Sequence, residues 1–302
     1  MFRRASVVTA IFAYLQIVLG GLVRVSGSGL GCPDWPLCHG RPYPPLDVHA
    51  IIEYSHRTVG TITGVLIIAT VVGAWLVFRA RRPVVAWLAT ASLVAIAAEG
   101  ALGGVVVKTE LAPWLVAVHL ALAMIILGCL IAAAVMSMPA SGGASDARFR
   151  RLAIWSMAAT YALLLTGSTV VASGAALSCR TWPLCGGGLT PDFSGSSVFT
   201  MLHRGSVLVI GCLLVWVLVV AWRRWSTIAG MRLMAGGTLA VFALQVAVGA
   251  ASAVTDAAFA NGLHVALGTL VWAGVLSTAL LTIPRADRAE RSARLRVETT
   301  TI

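Results

Sequence analysis

GCPDWPLCHGRPYPPLDVHAIIEYSHR, from Gly31 to Arg57, recurs 147 residues later as SCRTWPLCGGGLTPDFSGSSVFTMLHR, from Ser178 to Arg204. Each copy is a loop rich in Pro and Gly with a Cys-x5-Cys pair, and it runs into an apolar segment that carries a His-Arg dipeptide near its start. The residues that are identical at this one offset include Cys32, Trp35, Pro36, Leu37, Cys38, His56 and Arg57, which match Cys179, Trp182, Pro183, Leu184, Cys185, His203 and Arg204. So many matches among uncommon residue types at one spacing indicate a tandem duplication.

The composition is that of an integral membrane protein. Charged residues make up 11% of the chain, against about 25% in soluble domains, and the mean hydropathy is +0.91. The net charge of +11 does not indicate nucleic-acid binding, because the basic residues alternate between inter-helix segments as the positive-inside rule requires. Of 22 Lys and Arg, 16 follow this pattern: Arg3, Arg4, Arg79, Arg81, Arg82, Arg148, Arg150, Arg151, Arg223, Arg224, Arg232, Arg285, Arg288, Arg291, Arg294 and Arg296.

Eight apolar segments have the roughly 20 residues that a transmembrane helix needs. The predicted fold is therefore all-α with eight spans, at 5–23, 50–77, 84–107, 111–137, 152–173, 198–222, 231–253 and 262–283. The arginine pattern predicts that both termini are cytoplasmic and that the two Cys-bearing loops, 24–49 and 174–197, face outside.

The duplication predicts two tandem four-helix bundles. Each half has an even number of spans, so the halves should lie parallel, related by a pseudo-two-fold axis along the membrane normal. The expected organisation is an N-terminal bundle over 1–137, a cytoplasmic linker over 138–150, a C-terminal bundle over 151–283 and a basic cytoplasmic tail over 284–302 without chemistry of its own.

Four of the six histidines lie in predicted spans, one on each even-numbered helix: His56, His119, His203 and His264. A single membrane histidine is usually an interhelical hydrogen-bonding residue, but four in two matched pairs at one depth favour axial ligands of haem iron in the bundle cores. A zinc or copper site would need more ligands, and the spans offer no Cys or carboxylate matched in both halves. We expect one haem site per half.

Arg57 and Arg204 directly follow two of these histidines. They are candidates to bind haem propionates, because arginine forms bidentate pairs with carboxylates. The alternative is that they extend to the lipid headgroups at the outer surface.

One acidic residue distinguishes the halves. Glu53 precedes His56 by three residues and so shares its helix face, whereas the position 147 residues later is Thr200. A carboxylate beside an apolar cofactor site is a candidate acid or base. We expect Glu53 to be catalytic, in the N-terminal half alone.

The two Cys pairs are expected to form the disulfides Cys32–Cys38 and Cys179–Cys185, since disulfides persist on an oxidising face. They could hold a lid over each site or be redox-active, whereas Cys129 and Cys212 lie in spans as apolar packing. Three further polar residues, Gln16, Glu99 and Gln245, each lie four positions before a pair of small residues, where interhelical hydrogen bonds are expected.

The segment QIVLGGLVRVSGSGLGCPDWPLC at 16–38, the Glu53-x-x-His56-Arg57 motif and the second TWPLC…HR set together resemble the haem A synthase family. The resemblance covers essentially all eight helices. It implies a bacterial cytoplasmic-membrane enzyme that oxidises the C8 methyl of haem O to a formyl group, by two hydroxylations and a dehydration, giving haem A for terminal oxidases.

The resemblance also implies roles for the matched residues. The C-terminal half would hold haem b through His203 and His264, and the N-terminal half would bind substrate haem O and product haem A through His56 and His119. Glu53 would be catalytic, and Cys32 and Cys38 functionally important. The implied partners are a haem O synthase and terminal oxidase assembly factors, with membrane lipids around the protein; a homo-oligomer stays open.

Two other functions remain alternatives. A di-haem b, quinol-linked electron carrier would use the same four histidines but would not need the difference between Glu53 and Thr200. A thiol:quinone oxidoreductase would use the external Cys pairs and would leave the histidines unexplained.

Overall fold

A computed structural model describes residues 1–139, 145–187 and 190–285, and these form an all-helical protein. The long helices are α1 (Phe2–Val25), α2 (Val48–Phe78), α3 (Pro83–Lys108), α4 (Pro113–Met136), α5 (Ala147–Ala172), α6 (Ser197–Arg224), α7 (Met231–Thr255) and α8 (Ala258–Leu281). Two short 3₁₀ segments, Ala175–Leu177 and Cys185–Gly187, lie in the loop before α6. The described residues contain no β-strand, only an isolated bridge between Cys38 and Arg41.

All eight long helices are long and apolar enough to cross a membrane, which confirms the eight predicted spans. Large apolar side chains such as Leu76 and Val209 are exposed along them, as expected for surfaces that meet lipid rather than water. The chain is therefore a multi-pass membrane protein. Which side each loop and terminus faces stays a prediction, and parts of the predicted linker (140–144) and tail (286–302) lie outside the described residues.

The helix ends differ from the predicted limits by a few residues, and at the start of α2 a capping group accounts for the difference. Asp47 caps α2 by accepting the backbone N–H groups of His49 and Ala50, both at 3.0 Å. Helix α8 begins at residue 258 rather than the predicted 262. The polar Asn261 interrupts the apolar pattern there, but its amide donates to Asp256 Oδ1 at 3.1 Å, so the helix accommodates it.

The helix neighbours are compatible with two four-helix bundles, an arrangement that stays a prediction. Helix α1 packs on α2 and α4, and α3 packs on the same two helices. In the second half, α5 and α7 each pack on α6 and α8. The halves meet through contacts of α1 with α8, α4 with α8, and α4 with α5. The domain limits, the parallel orientation of the halves and the pseudo-two-fold axis stay predictions.

The core between the halves is apolar and tightly packed around Trp272 of α8, which is buried together with Leu127 and Leu130 of α4. The Trp272 ring lies so close to Gly128 that a Cβ there would be 2.6 Å from it. Close approach of α4 and α8 therefore depends on this glycine, as is usual between helices in lipid.

Candidate functional site

The four helix histidines lie at equivalent positions, each packed on a glycine of the preceding helix. In every case the imidazole Cε1 is the atom nearest the glycine, and an added Cβ would lie 2.8 to 3.4 Å from it. The pairs are His56 with Gly20, His119 with Gly103, His203 with Gly167, and His264 with Gly249. The missing side chains leave room for the rings, which are held between helices rather than at the lipid surface.

Within each half the two histidines come close together. His119 is near enough to His56, and His264 to His203, for the imidazoles to interact electrostatically. The structure therefore brings together the residues that the sequence analysis paired. Among the described residues, no three His, Cys, Asp or Glu form a cluster that could hold a bare metal ion.

These residues fit haem ligation. Two imidazoles on helices α2 and α4, or on α6 and α8, are the donors that a bis-histidine haem takes in a helical bundle. In addition, the buried Nδ1 atoms of His56, His119 and His264 have no hydrogen-bond partner, which is uncommon for buried polar atoms, so protein hydrogen bonds alone do not satisfy these three rings.

Each histidine also has a polar side chain from the preceding helix beside it. Gln16 Nε2 lies 3.3 Å from His56 Nε2, and Gln245 Nε2 lies 3.4 Å from His264 Nε2. Glu99 Oε1 lies 3.2 Å from His119 Nδ1. Thus the three polar residues noted in the sequence as interhelical hydrogen-bonding groups all lie against a candidate haem ligand.

The fourth histidine has a partner that the sequence analysis missed. Thr166 Oγ1 lies 2.9 Å from His203 Nδ1 and donates its own hydrogen to the Leu163 carbonyl at 2.7 Å, so it can accept the imidazole N–H. Neither the repeat nor the spacing pointed to it, because the matched position in the first half is the apolar Leu19 and the residue four before Gly167 is Leu163. Its place directly before Gly167 was the only available signal.

Glu53 is buried, with 4% of its surface exposed, and both carboxylate oxygens are bound. Oε2 accepts the backbone N–H of Cys32 at 2.8 Å, and Oε1 accepts from Arg57 Nη2 at 2.5 Å. The carboxylate therefore joins the start of α2 to the first Cys-bearing loop. Its counterpart Thr200 makes a neutral version of this link, donating to the Ala175 carbonyl at 3.2 Å.

Arg57 and Arg204 bind the backbone of the Cys-bearing loops. Arg57 donates to the carbonyls of Cys32, Asp34 and Leu37 at 2.7–2.8 Å. Arg204 does the same in the second half, donating at 2.7–3.3 Å to the carbonyls of Cys179, Thr181 and Pro183. Sequence reasoning did not foresee this role, and a contact of either guanidinium with a haem propionate stays a prediction.

The Cys-bearing loops are closed by the two expected disulfides, Cys32–Cys38 and Cys179–Cys185. Within the first loop, the Asp34 carboxylate accepts the backbone N–H groups of His39 and Gly40 at 2.6 and 2.7 Å. These bonds, with that from Gly40 the stronger influence, hold the pKa of the exposed Asp34 below its usual value.

The first loop reaches down to the histidine site. Its Trp35 packs on Gly104 of α3, where a Cβ would lie 3.0 Å from the indole, and the adjacent Gly103 faces His119. Both histidines of this loop have hydrogen-bond partners in the protein. His39 Nε2 lies 3.0 Å from the Gly31 carbonyl, and His49 Nδ1 lies 3.0 Å from Ser28 Oγ. The loop thus lies as a cover beside the N-terminal site.

We expect thiol labelling under denaturing, non-reducing conditions to modify Cys129 and Cys212 only, because these two cysteines are free in the structure. After reduction all six should react, which mass mapping of peptides would show. Labelling of Cys32 or Cys185 in fully oxidised membranes would contradict the two disulfides.

Comparison with known proteins identifies the family of this chain. The family model described as "Cytochrome oxidase assembly protein" (COX15-CtaA) matches residues 3–276, which include most or all of each of the eight helices. The chain is 31% identical over 267 residues to the Heme A synthase of Symbiobacterium thermophilum, covering 82% of this chain and 84% of the relative. It is 30% identical over 224 residues to the Heme A synthase of Alkalihalophilus pseudofirmus, covering 70% and 75%. A family match over nearly the whole length, with both histidine pairs inside it, means that this chain belongs to the COX15-CtaA family of cytochrome oxidase assembly proteins.

Proposed function

We propose that this protein is a haem A synthase, a membrane oxidoreductase that converts the C8 methyl of haem O to a formyl group. The observation that carries the proposal is that the two histidine sites differ at Glu53, whose counterpart in the second half is Thr200. Both halves bring two imidazoles together, but only the first places a buried carboxylate, Glu53, one helical turn from a histidine. Relatives that carry the name Heme A synthase support the same activity.

The two halves have different tasks in this proposal. The N-terminal half binds haem O as substrate between His56 and His119, and the C-terminal half holds haem b between His203 and His264. The support is chemical: the reaction needs a group that can move a proton, and Thr200 cannot replace Glu53 in that role. The C-terminal site is suited to electron transfer alone.

When bound, haem iron supplies the redox chemistry for two hydroxylations of the methyl carbon, and the protein supplies placement and proton transfer. Glu53 is suited to the second task. Each of its carboxylate oxygens uses one lone pair for Cys32 or Arg57, which leaves a lone pair on each for a water or for a hydroxyl of the substrate. The carboxylate is thus held in one orientation, in which it can accept a proton as the methyl carbon is oxidised. When the gem-diol from the second hydroxylation loses water, it can take the proton of one hydroxyl and return it to the leaving hydroxyl.

The surroundings of Glu53 keep it in place. Arg57 binds Glu53 and three loop carbonyls at once, so the acid, the disulfide loop and the start of α2 form one connected unit. Catalytic groups need such fixed positions, since misplacement by about 1 Å can reduce the rate 100-fold. The disulfide Cys32–Cys38 closes this unit, which gives it a structural task whether or not it also exchanges electrons.

The family takes part in cytochrome oxidase assembly. In the proposed pathway a haem O synthase delivers the substrate, and terminal oxidase assembly factors receive haem A. A homo-oligomer would be compatible with these contacts.

Haem extraction from the purified protein, co-expressed with a haem O synthase and followed by chromatography, tests the proposal. We expect haem b together with haem O or haem A. Haem b alone, at two per chain, would contradict it and would favour the di-haem, quinol-linked electron carrier, which needs only the two histidine pairs.

A further inference from the structure

Glu99 is a second buried carboxylate, and the proposed reaction does not use it. It lies in α3, with 8% of its surface exposed. Its Oε1 is 3.2 Å from His119 Nδ1, and its Oε2 has no hydrogen-bond partner. Among the described residues, His119 is its only ion-pair partner. A carboxylate inside a membrane span is costly unless it is paired, so its place beside this imidazole needs a reason.

Comparison of the four histidines isolates this contact. Gln16, Glu99 and Gln245 stand at the same spacing before Gly20, Gly103 and Gly249, yet only position 99 is acidic. Glu99 also lies against Nδ1 of its histidine, whereas the two glutamines lie against Nε2. His203 is met by the neutral hydroxyl of Thr166. One of the four candidate ligands therefore has a carboxylate partner, and it lies in the same half as Glu53.

The ring nitrogen of His119 that Glu99 approaches is as important for its role as the charge of the carboxylate. A histidine that ligates iron through one ring nitrogen keeps the other N–H for a partner outside the metal's coordination sphere. His119 Nδ1 has no other hydrogen-bond partner, and 3.2 Å is already a hydrogen-bond distance, so only the orientation of the ring separates the pair from a hydrogen bond.

We propose that Glu99 is a positioning residue of the N-terminal haem site, which accepts the Nδ1–H of His119, fixes the ring and makes it the most electron-donating of the four ligands. The inference rests on the proposed function, because it requires haem at His119. A carboxylate that accepts the N–H of the ring nitrogen not bound to iron raises the basicity of an imidazole ligand. Stronger donation from the imidazole to iron favours the ferric state. The substrate haem is thereby held at a lower reduction potential than it would have with a neutral partner.

The test is a spectroelectrochemical titration of purified, haem-loaded protein, with His203→Ala as the reference that keeps only the N-terminal haem. We expect Glu99→Gln, which introduces the side chain found at positions 16 and 245, to raise the midpoint potential of the N-terminal haem and leave the other unchanged. The matched variant is Thr166→Val, which removes the partner of His203 Nδ1 without changing the shape of the side chain. It should shift only the C-terminal haem.

Each result of the titration either supports or overturns the role of Glu99. An unchanged N-terminal potential in Glu99→Gln, or equal shifts of both haems, would overturn the inference, since the effect would then not pass through His119. If Glu99→Gln loses the N-terminal haem, Glu99→Asp replaces it: retention by Asp supports the role of the carboxylate, and loss in both folded variants overturns it. Haem b alone in the wild-type protein would contradict the synthase activity. A shift in midpoint potential confined to the haem at His119 would still support the role of Glu99.

Discussion

Glu53→Gln should retain the fold, membrane insertion and the haem b spectrum, but slow conversion of haem O to haem A by about 100- to 10,000-fold, the usual cost of losing a general base. The amide keeps one oxygen that can accept the Cys32 N–H now bound by Glu53 at 2.8 Å. It loses the negative charge that faces Arg57 and can no longer accept a proton. We therefore expect an intact site that stalls, with the alcohol from the first hydroxylation accumulating in extracted haem.

The matched control for this variant is Thr200→Glu in the second half. It adds a carboxylate at the equivalent position of α6, but it should not create a second active site if the C-terminal haem serves only in electron transfer. A variant that also loosens the first loop would show protease sensitivity between residues 26 and 47, so limited proteolysis separates loss of chemistry from loss of structure. Haem A formation at the wild-type rate in Glu53→Gln would mean that the carboxylate only anchors the loop.

The sequence was sufficient for the helices and the histidines because both depend on local or repeated signals. Apolar length gives the eight spans, and the 147-residue repeat reveals His56 and His203 together. The helix ends were less predictable, since a cap such as Asp47 extends a helix beyond its apolar run.

Contacts between distant side chains could not be predicted in the same way. Gln16 and His56 are 40 residues apart, so their contact depends on how α1 and α2 pack. Arg57 was expected at a cofactor, but the loop turns three carbonyls toward it. Carbonyl direction follows from backbone angles that loop composition does not determine.

His203→Ala and His264→Ala should each abolish the low-spin b-type spectrum of the purified protein, while His56→Ala should leave most of it. The reason is the proposed division of tasks: the C-terminal pair holds a resident haem b, and the N-terminal pair holds a haem that enters as substrate and leaves as product. A bis-histidine haem that loses one ligand loses its low-spin character, and alanine leaves a cavity that the surrounding helices fill only partly. Reduced-minus-oxidised spectra of the three variants, normalised to protein, measure this directly.

The glycines beside the rings provide a second route to the same conclusion without removing a ligand. A Cβ at Gly167 would lie 3.2 Å from the His203 imidazole, and one at Gly20 would lie 3.1 Å from that of His56. Gly167→Ala should therefore disturb the b-type spectrum and Gly20→Ala should affect haem O binding instead, although the two substitutions introduce the same methyl group at equivalent places. Two results would contradict this assignment: equal loss of the spectrum in all three histidine variants, or equal disturbance of it by Gly20→Ala and Gly167→Ala. In either case both halves would hold a resident haem, and the assignment of substrate to the N-terminal half would be wrong.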